Sequence, residues 1–273
     1  MASDSIAQAV LDGRSLTGLA TVVDIHGHGG PWHNFWIPAS DPDSMVRLMD
    51  RLGVRALVLA PHLAISSGAD DGNDLAVAWT RRYPGRLLGY ATLYPHDGQR
   101  VRGQLERALD NGLVAIKLHP SVHRRSVADE PYRQAWEVAR ERGSFILSHT
   151  WHADPYCAPG LFAPYAEEYP EVPIVLGHSG GAPAGFSEAI ELATKHENIF
   201  LDTTGSNVTG PWIRRMVGEA GVHKVLYGSD MPFIDPRYGL GKVALSGLSD
   251  EQLRMVMGLN ALRLLARAGV HVD

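Results

Sequence analysis

The sequence predicts an α/β protein, a (β/α)8 TIM barrel in a single domain, and three observations predict it. Eight short apolar or β-branched runs alternate with amphipathic helical patterns. The runs end near residues 26, 60, 92, 118, 149, 178, 203 and 230, a mean step of about 29 residues, the size of one βα unit. The length, 273 residues, is ordinary for one such barrel. An open doubly wound sheet is the alternative, but it gives no reason for polar residues at early and late strand ends to converge.

The barrel is assigned to residues 21–273, behind an N-terminal arm or short helix over residues 1–20 in which Ile6, Val10 and Leu11 fall at helical spacing. Val22, Val23 and Ile25 form the first strand, which runs into His26-Gly27-His28. Two imidazoles at i and i+2 on extended backbone point to one side, and the glycine between them leaves room for an ion or substrate. A glycine, proline and aromatic loop without periodicity follows, from Gly29 to Pro38.

Asp41-Pro42 opens the next helix as N-cap and first-turn proline, with Met45, Leu48, Met49 and Leu52 on one face. Ala56 to Leu59 are continuously apolar, as a strand buried on both faces of a parallel sheet requires. The alternation then repeats: helix 74–83, strand 86–92, helix 98–111, strand 112–118, helix 130–142, strand 145–149. It continues with helix 158–169, broken at Pro164, strand 172–178, helix 183–196, strand 198–203, helix 211–221 and strand 224–230. Ser249 and Gln252 make a capping box for one last helix reaching Arg267.

Twenty-five basic and 30 acidic residues give a net charge of −5 without a Lys/Arg cluster, which argues against nucleic acid. The N-terminus has no apolar signal region and no run is long enough to span a bilayer, so no membrane is expected and a cytoplasmic location is. Cys157 is the sole cysteine, so no internal disulfide can form, and no cation in its sequence neighbourhood would make it reactive.

The chemistry stands at the strand ends. Strand 1 offers His26 and His28, strand 4 Lys117 and His119, strand 5 His149, strand 6 His178 and strand 8 Asp230. Any one of these reads as a hydrogen-bonded histidine or surface charge; together they read as a nitrogen and oxygen ligand set suited to zinc, and to other first-row divalent ions.

The segments Val-Asp-Ile-His-Gly-His, Ile-Lys-Leu-His-Pro, Leu-Gly-His-Ser-Gly-Gly and Leu-Tyr-Gly-Ser-Asp-Met-Pro resemble those of the amidohydrolase superfamily, in its amidohydrolase-related branch, which includes aminocarboxymuconate-semialdehyde decarboxylase. The resemblance implies one metal held by His26, His28, His149 and Asp230, zinc first, with manganese or a second ion as alternatives. It places His178 beside the metal's water and Lys117 either as a bridging ligand or in contact with substrate.

The implied activity is hydrolysis of an amide, lactone or related ester in a small cyclic or planar molecule, with Asp230 as general acid/base. Nonoxidative decarboxylation of an unsaturated or aromatic acid is the alternative, and a catalytically silent metal-binding barrel is the non-enzyme one. Trp32, His33, Trp36, Tyr94, His119, Trp151, His152, Asn207 and Phe233 lie on mouth loops and suggest a partly aromatic substrate pocket. A small-molecule substrate is the expected partner, along with a second copy of the chain in a homodimer.

Overall fold

The computed structural model describes residues 5–272; the first four residues of the expected arm and Asp273 lie outside the described residues. Eight strands follow in order: β1 Val22–Gly29, β2 Val54–Pro61, β3 Leu87–Thr92, β4 Ala115–Leu118, β5 Ile146–His149, β6 Ile174–Gly177, β7 Ile199–Asp202 and β8 Val225–Leu226. Each pairs in parallel with the next. The seam between β1 and the chain after β8 is closed by backbone bonds: Ile25 N–H to the Tyr227 carbonyl (3.1 Å), Asp230 N–H to His26 (2.8 Å) and His28 N–H to Met231 (2.7 Å). The barrel is therefore the predicted (β/α)8 type.

The early helices are α1 Ile6–Leu11, α2 Pro42–Leu52, α3 Ala69–Arg82, α4 Arg100–Asp110, α5 Pro120–His123 and α6 Glu130–Arg142. The later ones are α7 Ala163–Glu168, α8 Pro183–Lys195, α9 Gly210–Ala220, α10 Pro236–Ala244, α11 Asp250–Arg254 and α12 Asn260–Arg267. Asp41 caps α2 by accepting from Ser44 N–H, and Gly53 ends it in the left-handed region. The Ser249–Gln252 capping box is present.

Alternate strand residues fall into two apolar clusters, as a pleated backbone dictates. Leu57, Leu59, Leu87, Ile116, Ile146, Ile174 and Leu176 pack outward with the helices, while Ala56, Val58, Leu88, Tyr90, Ala115, Leu147, Val175 and Leu226 fill the interior. Counting two residues onward along the inward face takes Ala60 to His62, Ala115 to Lys117, Leu147 to His149 and Phe200 to Asp202. The same parity that packs the barrel thus delivers polar side chains to its C-terminal mouth.

Three local departures from the sequence reading have physical causes. The strand expected over 224–230 pairs with β7 only through Val225 and Leu226, because beyond them the chain turns to bond β1. The single final helix is interrupted by a π-turn over Met255–Leu259. There the Val256 carbonyl accepts from Tyr227 N–H (2.9 Å), and a Cβ on Gly258 would lie 1.9 Å from the Thr21 carbonyl oxygen, so the widened turn lets the helix seat on the barrel. The third departure is α10, an added helix capped by Asp235 that carries α1 on its surface.

Candidate metal centre and active site

His26 lies at the middle of the mouth. Its Nδ1–H donates to Asp202 Oδ2 (2.6 Å), which leaves the lone pair on Nε2, and Lys117 Nζ donates to it there (2.6 Å). His28 Nδ1 donates to the Ala60 carbonyl (3.1 Å), so its Nε2 also faces inward, 3.4 Å from Asp230 Oδ1. Asp230 Oδ1 is 3.8 Å from His26 Nε2. One ligand atom each from His26, His178 and Asp230 lies within 4.8 Å of the other two. The His149 and His178 rings are 4.6 Å apart and the His26 and His178 rings 4.8 Å.

Burial lowers the imidazoles of His26, His28 and His149 below the ordinary histidine range, with Lys117 adding to the effect, and takes His178 to about 3. Neutral imidazole is the form that binds a metal. At Asp230 burial opposes ionisation, but the electrostatic influence of the surrounding His28, His178 and His26 side chains outweighs it and holds the carboxyl well below the usual carboxylate range. Burial brings the Lys117 amine down to about 7 against the pull of Asp230 and Asp202.

The buried Nδ1 atoms of His149 and His178 have no hydrogen-bond partner among the described residues. Unpartnered nitrogens beside neutral imidazoles and an ionised carboxylate are a donor set that fits a divalent ion. Capture of an ion by His26 requires Lys117 to give up its bond to Nε2.

Three non-glycine residues here adopt left-handed backbone: His178 (φ 61°), Ser179 (φ 46°) and Asp230 (φ 67°). Each costs on the order of 1 kcal/mol or more, and such strain collects at functional sites. It is held by specific bonds: His178 N–H to Asp202 Oδ1 (2.7 Å), Ser179 Oγ to the Asp202 carbonyl (2.7 Å) and Asp230 N–H to the His26 carbonyl. Glycines make the space. A Cβ on Gly177 would lie 2.9 Å from His26 Cε1, and one on Gly228 would lie 2.8 Å from His26 Cβ and 2.1 Å from Thr204 Oγ1.

Around this cluster the pocket residues expected from sequence divide. His149 is stacked with His119 (4.2 Å, 12°) and with Trp151 (6.1 Å, 3°). Phe233 meets His28 at 5.4 Å and Trp32 at 5.5 Å, and Trp32 carries His33 at 4.3 Å. Those rings form aromatic walls on two sides of the ligand cluster. Trp36 instead stands in solvent, 83% exposed. Tyr94 packs on His96 and His123, His152 is exposed, and Asn207 Nδ2 donates to the Gly181 carbonyl (3.0 Å), bracing the turn on which Trp151 rests.

Three residues that sequence reasoning passed over complete the centre. Asp202, fully buried, accepts from His26 Nδ1–H, His178 N–H, and Thr204 through both N–H (3.1 Å) and Oγ (3.0 Å). Asp24, pushed by burial up to about 7 despite its bonds from Ser229 and His26, ties β1 to the chain after β8. His62, at the end of β2, stacks on His28 (5.3 Å, 20°), and burial takes it to about 3. The signal for Asp202 and His62 is the one that reveals Asp230: a polar residue directly after an apolar strand.

Because Asp202 fixes both the tautomer of His26 and the backbone of His178, Asp202→Asn is expected to weaken the candidate centre's hold on a divalent ion about 10- to 100-fold, the usual effect of losing such a support. Competition against a chelating dye measures it; unchanged affinity would show that Asp202 does not set the site.

No curated protein matches the chain in sequence. Among solved structures, 5-carboxyvanillate decarboxylase from Sphingomonas paucimobilis superposes with a TM-score of 0.73 at 15% identity, over 90% of this chain and 99% of that one. Dihydroxybenzoic acid decarboxylase from Polaromonas, with bound manganese and the inhibitor 2-nitroresorcinol, gives 0.71 at 17% identity over 90% and 97%. A protein described as probable 2-pyrone-4,6-dicarboxylic acid hydrolase from Acinetobacter baumannii, with citric acid bound, gives 0.69 at 14% identity over 90% and 99%. At such identities the likeness carries the fold. The amidohydrolase family matches residues 23–267, nearly the whole barrel including every strand end described above, and the chain belongs to that family.

Proposed function

We propose that the chain is a metal-dependent enzyme that removes carbon dioxide, without oxidation, from a small planar unsaturated or aromatic acid. The observation that carries this reading is the pairing of a compact His and Asp cluster with aromatic walls, Trp151 against His149 on one side and Trp32 with Phe233 against His28 on the other. Such walls suit a flat ring. Two of the superposed structures are decarboxylases of aromatic acids, and one holds manganese.

His26, His28, His149 and Asp230 would hold a zinc or manganese ion, which when bound supplies positive charge to fix and polarise substrate oxygens. Asp230, ionised, takes a proton from the substrate or from water and delivers it to the carbon that bears the carboxylate. The carbon–carbon bond then breaks, its electron pair returns to the ring, and carbon dioxide leaves. His178, anchored by Asp202, orients the departing carboxylate, and Lys117 offers it a cationic contact. The aromatic walls keep water from the ring.

Hydrolysis of an amide, lactone or related ester is the second reading, favoured by the same ionised Asp230, which can equally take a proton from water for attack on a carbonyl. The two are separated by incubating the metal-loaded protein in 18O-labelled water with aromatic acids and with cyclic amides and lactones. Decarboxylation releases carbon dioxide and leaves the organic product free of 18O. Incorporation of 18O into that product without carbon dioxide would overturn it in favour of hydrolysis.

A further inference from the structure

We infer that Lys242 and Tyr238, on helix α10, are positioning residues for His178: they hold two successive carbonyls of the 203–209 loop, and so keep its backbone packed against the imidazole Nδ1. The inference deepens the proposed function and rests on it for the effect on turnover; for the geometry it rests on the bonds of this loop.

The segment between β7 and α9 has no regular secondary structure, so its place at the mouth is set by side chains. Four consecutive residues are each tied. Thr204 bonds Asp202 through N–H (3.1 Å) and Oγ (3.0 Å). The Gly205 carbonyl accepts from Lys242 Nζ, and the Ser206 carbonyl from the Tyr238 hydroxyl (2.8 Å). Asn207 Nδ2 donates to the Gly181 carbonyl. Gly205 has a φ of 102°, and a Cβ there would lie 3.4 Å from His178 Nδ1. That nitrogen is buried and has no hydrogen-bond partner among the described residues. What stands against it is the Gly205 backbone, and α10 holds that backbone by the carbonyl.

These two bonds are not needed to dock α10, which already buries Leu240, Val243 and Ala244, and apolar burial of that kind seats a helix. A lysine adds to such a seat at a cost. Burial brings its amine down to about 8 against the pull of Asp202 and Asp230. Lys242 Nζ also stands 5.5 Å from the centre of the Tyr238 ring, so the two donors brace each other as they grip neighbouring carbonyls. The helix that lies outside the alternation of strand and helix thereby acquires a task at the site.

The test uses the full chain, loaded with zinc and carrying 15N in its histidine rings. The His178 signals, identified by their absence from His178→Gln, are expected to shift in Lys242→Met and, by less, in Tyr238→Phe. Those of His62, held by the Gly30 carbonyl, stay put. Lys242→Arg, which keeps a donor in reach of Gly205, returns part of the shift. Leu240→Ala controls for lost stability: it opens a cavity under the same helix and lowers the melting temperature while His178 is unmoved. On an aromatic acid that the chain decarboxylates, Lys242→Met is expected to lower kcat roughly tenfold at unchanged KM and metal content, since a misplaced group costs rate more than binding. Should Lys242→Met fail to fold, Tyr238→Phe carries the test, because it removes one hydroxyl from a half-exposed ring. His178 signals blind to both variants, or moved as far by Leu240→Ala as by Lys242→Met, would overturn the inference, as would an unchanged kcat where decarboxylation occurs. A His178 shift in a chain that releases no carbon dioxide would remove the reaction and keep the positioning.

Discussion

His26→Ala is expected to bring bound metal to background and to abolish turnover, because it removes the side chain that meets Asp202, Lys117, Asp230 and His178 together. Its Nε2 lies 2.6 Å from Lys117 Nζ, and its Nδ1–H is one of the four donors satisfying the buried Asp202 carboxylate. Loss of that donor costs about 1–3 kcal/mol in addition to the lost function, so the melting temperature falls by several degrees. His149→Ala makes the contrast. His149 has stacking neighbours in His119 and Trp151 and an Nδ1 with no partner among the described residues, so its removal is expected to cost the metal with a smaller loss of stability. Elemental analysis, turnover and calorimetry on the two variants check this; full metal content in His26→Ala would contradict it.

Asp230→Asn is expected to lower turnover by about 10²- to 10⁴-fold while changing the KM little, since a positioned proton-transfer group contributes on that scale. Asparagine has nearly the shape of aspartate and still presents an oxygen near His28, but it can neither take up nor deliver a proton. The Asp230 backbone is pinned by its N–H on His26, so the left-handed conformation survives the change; asparagine tolerates it too. The comparison is made at equal metal content. A variant with undiminished turnover would remove Asp230 from the proton path whichever bond is broken.

Much of this centre was legible because strand parity and strand ends are local properties. The His26-Gly27-His28 run, Lys117, His149, His178 and Asp230 each follow an apolar run immediately, and the barrel brings such ends to one mouth. Asp202 and His62 obey the same rule, yet each acquires its meaning from a partner far along the chain: Asp202 from His26, 176 positions away, and His62 from Gly30 and Phe233 across the mouth. The helix α10 is announced by Asp235-Pro236 just as α2 is by Asp41-Pro42, though it lies outside the simple alternation of strand and helix.

The π-turn was not legible, since its cause is the Thr21 carbonyl against Gly258 and the bond from Tyr227 to Val256, contacts that exist only once the barrel closes. Loop aromatics were the least legible. A tryptophan on a mouth loop fits a wall or a solvent-facing tip equally well in sequence, and Trp151 and Trp36 take those two fates.

Elemental analysis of the wild-type chain, loaded with zinc and freed of excess, bears most directly on whether these scattered strand ends make one metal centre. One divalent ion per chain is the expected result, with Lys117 remaining an amine. No retained ion would contradict the centre itself, and two per chain would contradict its single-ion form and make Lys117 a bridging ligand.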